Sequence, residues 1–184
     1  MLGGLFIKNG ADAVTVQISQ AAGERGTSWP THVQDLSEGE RLVIWAFRRW
    51  VSGPQHLPLL AREFDRQFRR AEARPALQAL DAALTGLTRH ARRTIVYHQP
   101  CCACLCADEV CFLSIVAALQ SGAQHAAGAM AQWLVRREGV QDFVAALDDL
   151  AECLSGSGHD LPYRTQQRNP VHTTTAQPLS LLVH

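Results

Sequence analysis

The chain has 184 residues, 47% hydrophobic and only 18% charged, with 17 basic and 17 acidic side chains and no formal net charge. A chain of this length can bury about two thirds of its unfolded surface, so it needs neither a metal nor a disulfide merely to fold. Neutrality argues against a uniformly basic nucleic-acid binder and against an acidic, disordered tail protein.

Residues 1–34 lack helical periodicity. Val14, Val16 and Ile18 alternate with Thr15 and Gln17, a weak strand pattern, and the run from Gly23 to Ser28 reads as loop. One short strand cannot make a sheet, so this segment is expected to be an irregular arm. Met1–Ile7 has no basic region before it and does not read as a secretory signal. No stretch of 18 apolar residues occurs, so no membrane span is expected.

Ser37 followed by Glu40 has capping-box spacing and opens the first expected helix. Its buried stripe is Val43, Ala46, Phe47, Trp50 and Val51, with Arg41, Arg48 and Arg49 assigned to the other faces. Gly53 and Pro54 end it. A second helix starts at Pro58, with Leu60, Ala61, Phe64 and Phe68 on its apolar face and Arg62, Arg66, Arg69 and Arg70 outside. A third starts near Pro75 and carries the seam Leu77, Leu80, Leu84, Leu87 and Ala91, with Gly86 inside it.

Thr94–Tyr97 is a β-branched and aromatic run, either the end of the third helix or a short extended piece. Pro100 argues against a helix through His98 and Gln99. Asp108 is the expected N-cap of a fourth helix, with Glu109 in its first turn and Phe112, Ile115, Val116 and Leu119 facing the core. A fifth helix, about 124–137, is rich in small residues and anchored by Met130, Trp133 and Leu134. Arg136 and Arg137 fall in its last turn, and Gly139 suits a left-handed cap. The sixth buries Val140, Phe143, Val144, Leu147, Leu150, Ala151 and Leu154, and stops at Ser155–Gly158. The pattern defines an all-α, single-domain array of about six helices over 35–155, with a flexible tail over 156–184. The four tryptophans, Trp29, Trp45, Trp50 and Trp133, are expected as core anchors.

Six cysteines are present, but five fall between Cys101 and Cys111, which does not resemble a disulfide framework. The expected compartment is therefore the reducing cytoplasm. Cys111 and Cys153 read as core filling. Four cysteines within Cys101–Cys106 exceed what packing asks. Zinc needs four converging soft or borderline ligands, and His98, Cys101 and Cys104 are each separated by two residues, with Cys106 closing a compact loop. These four are the candidate metal ligands. The competing readings are a thiol sensor, whose Cys106 pKa would fall if its sulfur met helix N–H groups, and simple packing.

No phosphate loop, dinucleotide fingerprint or nucleophile elbow occurs, and Asp108 and Glu109 point different ways on a helix. From Arg41 to Arg93 there are 11 arginines against 4 carboxylates, whereas Thr94–Tyr163 has 2 against 8. Solvated faces, a nucleic-acid or acidic partner, and self-association between the halves are the readings of that asymmetry. The function these features favour is a non-catalytic regulatory or adaptor module with a protein partner or a second copy. Its alternatives are a zinc-dependent or thiol-sensing nucleic-acid-binding regulator and a Cys/His enzyme.

Overall fold

Ser37 accepts a hydrogen bond from the Glu40 N–H, and Glu40 returns one to the Ser37 N–H, so the first helix begins on a complete capping box. In the computed structural model, which describes residues 29–164, this helix is α1, Glu38–Val51. It is followed by α2 (Leu57–Gln67), α3 (Ala73–His90), α4 (Ala107–Gln120), α5 (Gln124–Leu134) and α6 (Val140–Gly156). The described residues form an all-α bundle of these six helices with three short 3-10 turns and no strand. No helix among them is long and apolar enough to cross a membrane. The strand-like stretch Val14–Ile18 and residues 165–184 of the expected tail lie outside the described residues.

The apolar stripes pack as their spacing requires. Leu80, Leu84 and Leu87 of α3 are buried, as are Phe143, Leu147, Leu150 and Leu154 of α6, and these two helices form the most extensive pairing. Phe64 and Phe68 stack with ring centroids 4.8 Å apart. Helix α4 is the axis of the bundle: every residue from Phe112 to Leu119 is buried, because α1, α5 and α6 all pack on it. A helix apolar all round belongs in a core, and its sequence is a nearly unbroken apolar run.

Four local expectations are corrected. The N-cap of α4 is Cys106, which places Asp108 and Glu109 inside the first turn. Helix α5 stops at Leu134, because Val135 turns extended and pairs with Ala91 in an antiparallel bridge. Arg136 and Arg137 therefore lie outside it, and Arg137 opens a 3-10 turn. Gly139 has φ −97° and caps the start of α6; a side chain is excluded there because a Cβ would lie 2.4 Å from the Cβ of His90. Trp133 is 70% exposed and anchors nothing. Helix α5 turns Ala127, Ala131 and Leu134 inward, and a residue two places after Ala131 lies about 200° round the helix, on the opposite side. Trp29, Trp45 and Trp50 are half-buried.

Beyond α6, His159 and Leu161 are buried. His159 Nε2 meets the Gln67 carbonyl at 2.9 Å, and Arg164 pairs with Glu40, so residues 157–164 return across the bundle to α1.

Candidate functional site

The cysteine loop is held from below by one arginine. Arg48 continues the row of Ile44 on α1 and is 2% exposed. Nε and Nη2 donate to the two Glu109 oxygens at 2.7 and 3.0 Å. Nη1 donates to the Cys102 carbonyl at 2.6 Å and more weakly to that of Gln99 at 3.4 Å, and Nη2 to that of Cys104 at 2.6 Å. All five N–H groups of the guanidinium thus have an acceptor, which is what a buried arginine needs to offset its lost hydration. The expectation that Arg48 sits on a solvated face is therefore wrong: its partners arrive from α4 and from the loop.

Glu109, in the first turn of α4, is fully buried and gathers the other side. Besides Arg48 it accepts from the His98 N–H at 3.1 Å, the Cys106 N–H at 3.0 Å and His98 Nδ1 at 3.2 Å. Burial works to raise its carboxyl pKa, but the hydrogen bonds from Arg48 and from the Cys106 and His98 backbone outweigh that and hold it below the ordinary value. Glu109 is thus ionised and can only accept, so the His98 ring donates from Nδ1, and in the neutral ring that places the lone pair on Nε2. Asp108 points the other way, as two adjacent helical residues should. It takes Arg93 in a two-pronged contact and the Val96 N–H at 2.8 Å. The two carboxylates pin both ends of the 93–98 segment.

Among the described residues, His98, Cys106 and Glu109 present ligand atoms within 4.8 Å of one another, a spacing that suits one metal ion. Of the four residues expected as metal ligands, the structure brings His98 and Cys106 together. Cys101 and Cys104 are exposed on the loop and lie outside that group. All six cysteines are free thiols; Cys153 is buried and Cys111 partly so.

Helix N–H groups do reach Cys106, and those of Glu109 and Asp108 lower its pKa. Burial and the charge of Glu109 prevail, and the thiol is pushed up to about 12, donating to the Val96 carbonyl at 3.0 Å. The N-terminal segment completes the strapping: Val33 N–H donates to Ala103 O at 2.8 Å and Leu105 N–H to Thr31 O at 2.9 Å.

Sequence reasoning missed Arg48 and Glu109. The signal was present: Arg48 follows Ile44 by four residues, and Glu109 follows Cys106 at capping-box spacing on a helix too apolar to have a wet side. In comparisons with known proteins, no family model matches the chain, and neither curated proteins nor solved structures give a match.

Proposed function

We propose that this domain is a non-catalytic regulatory or adaptor module whose cysteine loop takes up zinc as its responsive element. The ligands are His98, Cys101, Cys104 and Cys106. The observation that carries the reading is the convergence of His98 and Cys106 beside Glu109. A metal-bound histidine usually donates its second ring N–H to a carboxylate, and the Glu109–His98 contact has that form, leaving Nε2 for the ion. Glu109 then orients the ring, and its two oxygens stay on Arg48 and the backbone. Cys106 supplies the second ligand. The exposed thiols of Cys101 and Cys104 close the shell by a turn of the loop, and the ion offsets the repulsion among thiolates.

The regulatory part of the reading is supported by where the loop is tied. Residues 98–106 bond to α1, to α4 and to the segment Thr31–Val33 that precedes α1. A change in the loop is thereby felt in that segment. The exposure of Cys101 and Cys104 favours thiol sensing as the second reading, with these two rather than the partly buried Cys106 as the sensing pair.

Elemental analysis of protein purified under reducing conditions, without added metal or chelator, tests the proposal. Near-stoichiometric zinc is expected, lost in Cys101→Ser/Cys104→Ser. Replacement by cobalt should give a thiolate-to-metal charge-transfer band that Cys106→Ser weakens. Protein without zinc that also gives no such band would overturn the metal reading and leave the thiol-sensing one.

A further inference from the structure

A groove of about 510 Å³ opens where the end of α1, the turn Pro54–His56 and the segment Tyr97–Cys101 meet. That is the size of a small-molecule site. Arg49, Ser52 and His56 supply polar groups to its lining, and Tyr97, Val51 and Pro100 supply apolar surface. Among the described residues no carboxylate lines it.

Arg49 differs from its neighbour Arg48 in one respect that matters here. Arg48 has an acceptor for every N–H, whereas the Nε of Arg49 is buried and has no hydrogen-bond partner among the described residues. Its guanidinium carbon stands 5.8 Å from the centroid of the Trp45 ring, which steadies the charge without satisfying the donor. A buried, unpaired donor on a cation is costly to keep, and native structures retain few of them. Arg49 also lines the groove, and an oxyanion is the acceptor a guanidinium takes best, since a charged hydrogen bond is about twice as strong as a neutral one.

We infer that this groove binds a small organic anion, with its carboxylate or phosphate on Arg49 and His56 and its apolar body against Tyr97, Val51 and Pro100. The inference does not need the metal, because neither Arg49 nor His56 is among the proposed zinc ligands, although Cys101 in the groove wall is. It adds a ligand to the module, and the shared wall at Pro100 and Cys101 places that ligand beside the cysteine loop.

Calorimetric titration of the full chain with benzoate, phenyl phosphate and neutral benzyl alcohol tests it, with and without one equivalent of zinc. Saturable binding of benzoate, of phenyl phosphate or of both is expected, and the preferred one identifies the anion. Benzyl alcohol should bind at least about tenfold more weakly. Arg49→Gln should weaken anion binding about tenfold or more, and Arg49→Lys should restore part of it, with melting temperatures confirming that both fold. His56→Gln should give a smaller loss. If neither anion binds, or if Arg49→Gln binds them as the parent does, the inference fails. Anion binding by the zinc-free protein separates this result from the fate of the metal reading.

Discussion

Arg48 and Glu109 form an ion pair taken out of water, and such a pair holds a structure only while both partners are present. Removing Glu109 leaves a cation with two vacant donors; removing Arg48 leaves a carboxylate with its counter-charge gone and the carbonyls of Cys102 and Cys104 unpaired. Arg48→Met and Glu109→Gln should each lower unfolding free energy by about 3–5 kcal/mol in urea titrations. The double variant should cost less than the sum, since the second change removes what the first orphaned. The pair also sets an acid limit. The folded Glu109 carboxyl lies below its ordinary value of 4.5, so its contribution is fully present above that pH and is lost as pH falls through the folded pKa. Urea unfolding from pH 7 down to pH ~3 should show falling stability in acid, with a shallower fall in Glu109→Gln.

At the level of elements, boundaries were set by partners that are distant in sequence. Helix α5 ends where it does because Arg92 N–H donates to the Leu134 carbonyl and Arg136 N–H to the His90 carbonyl, bonds that need α3 alongside. Two glycines, one inside α3 and one at the start of α6, differ in the same way. Gly139 is wedged against His90, whereas Gly86 in α3 has nothing within 4 Å of where a Cβ would stand. Gly139→Ala should therefore destabilise by about 1–3 kcal/mol through overpacking. Gly86→Ala should stabilise by roughly 0.5–1 kcal/mol, because alanine loses less backbone entropy in a helix. Thermal unfolding of the two variants in parallel checks both signs.

Across the whole molecule, the contrast between a basic first half and an acidic second half is partly resolved inside the fold. Arg48 and Arg93 precede Thr94, Asp108 and Glu109 follow it, and the two ion pairs they form join the halves. Most of the remaining arginines of α2 and its flanks are exposed, including Arg62, Arg66, Arg69 and Arg70. On the adaptor reading these faces meet an acidic partner or the acidic face of a second copy. Light scattering should then detect self-association at low salt that disappears at about 0.5–1 M salt, where the screening length is only a few ångström. A monomer at both would leave an acidic partner as the form of that reading to pursue.

The all-α class, the number of helices and the buried stripes of α1, α2, α3 and α6 were legible in the sequence, because periodic burial of Leu, Phe and Val and the Ser37–Glu40 capping box are local properties of the chain. The candidate site was legible in part. His98 and Cys106 stood out through residue type and spacing, and the structure sets them side by side. Only tertiary structure could show that Arg48 is buried, that Glu109 is its counter-ion and that Trp133 faces outward. Whether a charged side chain is dry depends on which acceptors arrive from elsewhere, and here they come from residues 51–61 positions further along the chain.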